Sequence, residues 1–151
     1  MCIRDRLTDE LLSEDENKYH AFLILDVDCF KQINDIYGHA VGDIVLQKFG
    51  KLLKGTFREG DILGRIGGDE FGVIMKNIQT KDIAMKKAEE LLAKTQAYKI
   101  DELKGNNISI SIGISTAPQD GDCYMDLYKR ADQALYQAKR SGKARVCNYF
   151  S

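Results

Sequence analysis

The 151-residue chain holds a single proline, Pro118, and no run rich in glycine, proline or serine, so no compositional break marks a linker. Its length suits one domain with a core of its own. No apolar run approaches the roughly 20 residues that cross a bilayer. The opening "MCIRDRLTDE" is charged and lacks the apolar segment of a secretory leader, so no signal peptide is expected. The net charge of −1 provides no polybasic field to hold long nucleic acid, whereas a small phosphorylated ligand needs only a few local cations. Cys2, Cys29, Cys123 and Cys147 form no CxxC pair. That argues against a zinc knuckle or a redox couple and suits a reducing cytoplasm.

Several chemistries are absent too. There is no G-x-x-x-x-G-K-[ST] loop, no G-x-G-x-x-G after a strand, and no G-x-S-x-G or Cys/His nucleophile motif. His20 and His39 stand singly, without metal-ligand spacing. What remains is a soluble, globular composition, 44% hydrophobic and 30% charged. It carries no internal repeat.

The apolar pattern predicts the elements. "AFLIL" (Ala21 to Leu25) is a continuous apolar run, as in a strand covered on both faces. "GDIVLQKFGKLLKGTF" puts Val45, Phe49, Leu52 and Leu53 on one helical face. "DILGRI" and "EFGVIM" read as two short strands around Gly67-Gly68, a pair that tolerates the positive φ of a tight hairpin. A further helix presents Ala84, Ala88, Leu91, Leu92 and Thr95. "ISISIGIS" alternates, with Ile108, Ile110, Ile112 and Ile114 on one face and small residues on the other. The last helix turns Leu127, Ala131, Ala134, Leu135 and Ala138 inward and ends at Gly142; "RVCNYF" follows as an edge strand. The order is strand, helix, helix, hairpin, helix, strand, helix, strand. The hairpin excludes a purely parallel βαβ repeat and favours an α+β sheet with helices packed on it.

Two groups of acids stand out. Asp26 and Asp28 are two apart where the buried strand ends, so in extended chain they point the same way, with the Val27 carbonyl between them. Oxygens so placed suit a hard cation such as Mg²⁺; a polar strand end with a helix N-cap is equally compatible. An EF-hand is excluded, because Phe30 and Lys31 stand where that loop needs an oxygen ligand and a glycine. Asp69 and Glu70 follow the glycine pair, and neighbours in a strand face opposite sides, so one could join Asp26 on a metal. Bare Gly67 and Gly68 leave room for a phosphate or base against the backbone. An exposed hairpin tip explains that segment alone. Two acid groups on neighbouring strand ends call for a neutralising cation. Lys139, Arg140, Lys143 and Arg145 cluster where the last helix ends, either as cations favoured by its dipole or as a triphosphate clamp.

Taken together, "DVDCFKQINDIYGHAVGD", "GRIGGDEF" and "ADQALYQAKRSGK", in this order and at these intervals, resemble the diguanylate cyclase (GGDEF) family over residues 20 to 150. The resemblance implies a cyclase- and polymerase-palm-like, ferredoxin-like fold: a mostly antiparallel central sheet flanked by helices, with the Gly67–Phe71 hairpin. It implies condensation of two GTP into cyclic di-GMP and two pyrophosphates. Asp26, the Val27 carbonyl and Asp69 would hold Mg²⁺ or Mn²⁺, with Glu70 as a further ligand or as the base for the 3′-hydroxyl. Asn34 and Asp43 would bond the guanine edge. Amides around Cys29, Phe30 and Lys31, with the Lys31 side chain and the open Gly67-Gly68 backbone, would take the phosphates, and Lys139 and Lys143 would neutralise them. Arg58 and Asp61, with five residues between Asp61 and Gly67, match the family's R-x-x-D inhibitory product site.

The resemblance further implies a homodimer as the working unit, a cytoplasmic setting, and neither nucleic acid nor membrane as partner of this chain. Residues 1–19 are expected to be a divergent or truncated segment, since "DRLTDELL" only opens like the family's usual lead-in, and 20–151 the catalytic domain. Two departures concern the site. Cys29 is small for its place, and Gly142-Lys143-Ala144 replaces Gly-Arg-Asn, keeping charge but losing a forked guanidinium. The expectation is an isolated diguanylate cyclase domain, weakly active without a dimerising module. The alternative is a non-catalytic receptor for GTP or cyclic di-GMP.

Overall fold

The computed structural model describes residues 19–149. The element order is the expected one, with a small addition. Strand β1 (Tyr19–Val27) leads to helices α1 (Phe30–Tyr37) and α2 (His39–Thr56). The hairpin β2 (Ile62–Gly67) and β3 (Glu70–Ile78) follows, then α3 (Asp82–Ala97). A two-stranded ribbon, β4 (Lys99–Ile100) and β5 (Asn106–Asn107), precedes β6 (Ile110–Ala117), α4 (Tyr124–Arg140) and β7 (Val146–Asn148). The ribbon escapes sequence reading because two residues per strand carry no periodicity.

The main sheet has the order β2-β3-β1-β6-β7. All its pairings are antiparallel except β6 with β7. The fold is thus α+β with a mixed, mostly antiparallel sheet. β1 lies at the centre because it is apolar on both sides, and Ala21 to Val27 are buried without a break apart from the polar Asp26, itself buried. One face packs Ala21, Leu23, Leu25 and Val27 against Val45, Phe49 and Leu53 of α2 and Ala84, Ala88, Leu91 and Leu92 of α3. The other packs Phe22, Ile24 and Ile74 against Leu127, Ala131 and Leu135 of α4. Period-two alternation therefore sends Asp26 to the α4 face. The small residues of β6 let α4 come close. Ser115 Oγ donates to the Leu127 carbonyl at 2.7 Å, and a Cβ on Gly113 would lie 2.2 Å from the Ala131 carbonyl oxygen.

The expected positive φ at the glycine pair is not found: Gly67 and Gly68 both lie outside the left-handed region. A bulge between Arg65 and Gly67 makes the turn instead, leaving Gly67 paired with Glu70. Arg65 braces it, its Nε donating to the Gly68 carbonyl at 2.8 Å. Among the described residues, a Cβ on either glycine would meet nothing within 4 Å, so no contact there requires glycine. Among the described residues, no helix is long and apolar enough to cross a membrane.

Candidate functional site

The hairpin register sets Glu70 directly opposite Asp26 on the sheet. Such pairs hold their Cβ atoms about 5 Å apart on one face. Asp69, in the turn just before, brings its carboxyl within hydrogen-bonding reach of Asp26. Asp26 and Asp69, from two separated segments, thus meet under the end of α4, which contributes Lys139 Nζ to an ion pair with Asp26 Oδ2, while Glu70 turns its carboxylate to Tyr128 of the same helix. The second oxygen, Asp26 Oδ1, is buried and receives no hydrogen bond. Two ionised carboxylates cannot donate to each other, so their contact leaves that oxygen unsatisfied. An all-oxygen donor set with an orphaned buried oxygen fits a hard divalent cation.

The electrostatics follow from this crowding. Burial pushes the Asp26 carboxyl up to about 6; the Lys139 bond opposes the rise, and Asp69 adds to it. Glu70 is also raised, first by burial, with Asp132 and Asp69 adding to it and the Tyr128 hydroxyl and Lys139 working against it. Tyr128 Oη donates to Glu70 Oε1 at 3.1 Å. Its own phenol is pushed up to about 12 by burial and by the Glu70 carboxylate. For Lys139, burial alone would lower the pKa, but the bond to Asp26 and the fields of Asp26, Asp69 and Asp28 leave it raised. The site therefore holds its ammonium charged and its carboxylates under strain from one another.

Asp28 shares Asp26's face but not its role. Its Oδ1 accepts from Ser111 Oγ at 2.6 Å, and its Oδ2 from Ser109 Oγ at 2.6 Å and from the Ala144 amide at 3.1 Å. It neither sits among the converging acids nor caps α1, whose N-cap is Cys29, without a side-chain bond. Sequence spacing could not separate the two aspartates. The serines that decide the matter lie 81 and 83 positions away.

The remaining expected residues fall into three places. Cys29, Phe30 and Lys31 form the turn that opens α1, with Cys29 left-handed at φ 57° and Lys31 exposed. Lys143 reaches over this turn, its Nζ 3.1 Å from Cys29 Sγ. Val27 buries its side chain on the face opposite Asp26. Asn34 lies against Gly42 at the α1–α2 corner, where a Cβ would stand 1.9 Å from Asn34 Oδ1, and the exposed Asp43 is the next residue. Arg58 and Asp61 lie apart, at the far end of β2. Residues Ile62 to Ile66 of β2 separate them from the glycine turn, roughly 20 Å from Asp61 to Gly67. Asp61 is buried and accepts from the Arg58 amide at 3.0 Å, from Nε at 3.2 Å and from Nη2 at 3.0 Å. The same Nη2 donates to the Lys76 carbonyl at 2.8 Å. Tyr128, Ser109, Ser111 and Arg65 are the contributors that sequence reasoning missed; no motif announces them. A separate groove of about 970 Å³, between α3, α4 and β7, includes none of the acids at the strand ends.

A model of the family described as "Diguanylate cyclase, GGDEF domain" matches residues 1–145, and the chain belongs to that family. It is 40% identical over 127 residues to diguanylate cyclase A of Treponema denticola, an alignment covering 83% of this chain and 34% of that protein. The crystal structure of the GGDEF domain of TpbB from Pseudomonas aeruginosa superposes with a TM-score of 0.93 at 33% identity, covering 98% of this chain and 93% of that one. The GGDEF domain of DgcB from Caulobacter crescentus, solved in complex with c-di-GMP, gives 0.85 at 26% identity, covering 95% and 86%. The chain spans about a third of the length of the curated relatives it matches.

Proposed function

We propose that this chain is the catalytic domain of a diguanylate cyclase, condensing two GTP into cyclic di-GMP with release of two pyrophosphates. The observation that carries the reading is the approach of Asp69 to Asp26, whose second oxygen is buried and has no partner among the described residues, with Glu70 across the strand register from Asp26. Asp26, the Val27 carbonyl, Asp69 and Glu70 would hold Mg²⁺ or Mn²⁺. A divalent ion so held supplies neutralisation of the triphosphate and acidification of the attacking hydroxyl.

The chain's own groups do the rest. Lys139, kept charged by its acidic neighbours, and Lys143 draw the phosphates to the strand ends. The amides opening α1 and the Lys31 side chain add donors, and the open backbone of Gly67 and Gly68 admits the nucleotide closely. Asn34 and Asp43 pair with the guanine edge. Glu70, opposite Asp26 and steadied by Tyr128, accepts the 3′-hydroxyl proton. Each chain takes one GTP, so the reaction needs two copies facing each other across a two-fold axis. Arg58 and Asp61 bind cyclic di-GMP as a feedback inhibitor; the DgcB complex makes that ligand class reasonable for the fold. The setting is cytoplasmic.

The test is direct. The protein is incubated with GTP and Mg²⁺ or Mn²⁺ at two protein concentrations, and the products are separated by chromatography. Cyclic di-GMP should appear, with the rate per chain rising with concentration, and Asp69→Ala should remove it. Binding of GTP without pyrophosphate release identifies a receptor instead, and full turnover by Asp69→Ala removes the metal assignment.

A further inference from the structure

We infer that Asp28 is a positioning residue, holding the Ser141–Arg145 loop in the shape that delivers Lys143 to the phosphate end of the site. The inference rests on the nucleotide reading above and extends it to a residue given no part in binding. Both oxygens of Asp28 are engaged, and the side chain is buried. Its hydroxyl bonds are short and charge-assisted, of the strong class. Ser109 and Ser111 anchor the carboxylate to the β6 side of the sheet, and the carboxylate in turn accepts the Ala144 amide.

That loop would not keep its form unaided. Gly142, Lys143 and Ala144 have φ of 120°, 63° and 50°, three consecutive residues on the left-handed side. The last two carry β-carbons, which disfavour this region. Its start is tied to α4, with the Ser141, Gly142 and Lys143 amides donating to the Gln137, Lys139 and Ala138 carbonyls at 2.9, 3.5 and 3.0 Å, and its end to β6, with the Arg145 carbonyl accepting from the Ile112 amide at 3.0 Å. Arg145 Nε also donates to the Lys143 carbonyl at 3.0 Å. Between them, the Ala144 amide donates to Asp28.

The consequence is local to one dipeptide. Asp28 holds Ala144 by its backbone, while Cys29, the next residue, receives the Lys143 ammonium at 3.1 Å. Releasing Asp28 lets Ala144 leave the left-handed region, and Lys143 swings away from the turn that opens α1. Lys139, one helical turn earlier and paired with Asp26, is held by α4 and is not affected. The two aspartates two positions apart thus divide the labour: Asp26 faces the cation, and Asp28 faces the loop.

The test is a double-mutant cycle read by titration calorimetry, using α,β-methylene-GTP with Mg²⁺ and, as reference, GMP. Asp28→Asn should weaken the triphosphate analogue about tenfold, the size expected for contacts in one network. GMP, which presents no β- or γ-phosphate, should bind almost unchanged. In the Lys143→Ala background, Asp28→Asn should cost nothing further. Equal losses for GMP and the analogue, or additive losses in the double variant, overturn the inference and make Asp28 a purely structural residue. If Asp28→Asn does not fold, Ser109→Ala removes one donor to the same oxygen and is read by the same two criteria. A wild-type protein that binds neither nucleotide refutes the nucleotide reading itself, a result distinct from additivity.

Discussion

Tyr128 Oη meets Glu70 Oε1 at 3.1 Å, joining α4 to the first residue of β3 across 58 positions of sequence. The bond favours ionised Glu70, while burial, the larger influence, disfavours it. Replacing Tyr128 by Phe removes the favouring contribution and leaves the burial, so the Glu70 pKa rises further. A base that works ionised then loses activity from the acid side. Tyr128→Phe should therefore lower kcat roughly tenfold and move the acidic limb of the kcat profile to higher pH, with KM for GTP little changed. A profile that falls uniformly without shifting would show that the hydroxyl does not act through Glu70.

The α1–α2 corner offers a cleaner separation of binding from folding. A Cβ on Gly42 would stand 1.9 Å from Asn34 Oδ1 and 3.2 Å from Phe30 Cζ. The nearer atom ends a flexible side chain, so Asn34 can swing aside without unfolding α2. Ala also favours helix over Gly by about 1 kcal/mol. Gly42→Ala should leave the melting temperature within a few degrees of wild type while weakening GTP about tenfold. Preference for GTP over ATP should shrink in parallel. Retained selectivity would free Asn34 from the guanine assignment.

These two cases mark where sequence reading succeeds and where it stops. The unbroken apolar run Ala21–Leu25 and the helical period of the five inward residues of α3 declare their burial, and the structure buries them. Asp26 and Asp69 are legible as a pair because strand ends and a turn leave few places for them to go. Asp28 is written with the same residue type at the same spacing, yet its environment is set by Ser109, just before β6, and Ser111 within it. Tyr128 sits at a position where an aromatic would pass as helix packing, and Phe22 does lie beside it. Its hydroxyl bond depends on how α4 is laid across the hairpin, which no local pattern encodes. Gly67 and Gly68 were expected to serve the backbone; the bulge at Arg65 made that unnecessary.

Gly113 tests how closely α4 must lie. A Cβ there would come 2.2 Å from the Ala131 carbonyl oxygen and 2.3 Å from the Leu135 amide nitrogen. Both are helix backbone and have no rotamer to give. Gly113→Ala must push α4 off the sheet, opening the Phe22–Leu127–Ala131 packing and withdrawing Lys139 and Tyr128 from the acids. The expected cost is about 3 kcal/mol or more, at the upper end for overpacked cores. Chemical denaturation measures it, and a loss below about 1 kcal/mol would mean that the helix adjusts where the contacts say it cannot.

The last prediction concerns Arg58, where regulation and stability meet in one side chain. Asp61 is fully buried by its side chain, while Arg58 is half exposed and forks onto it through Nε and Nη2. Arg58→Ala leaves that buried carboxylate with its bond from the backbone amide at position 58, so stability should fall by about 1–3 kcal/mol. The same change should abolish inhibition by cyclic di-GMP and leave the initial rate nearly intact, because the strand residues Ile62 to Ile66 lie between this turn and the glycine turn. Arg58→Lys distinguishes the two effects. An ammonium keeps the charge beside Asp61 but cannot reproduce the planar fork, so inhibition should weaken more than stability does. Progress curves with added cyclic di-GMP, run beside denaturation of the same variants, measure both. Inhibition that survives in Arg58→Ala would reduce the pair to a structural clasp between the end of α2 and β3.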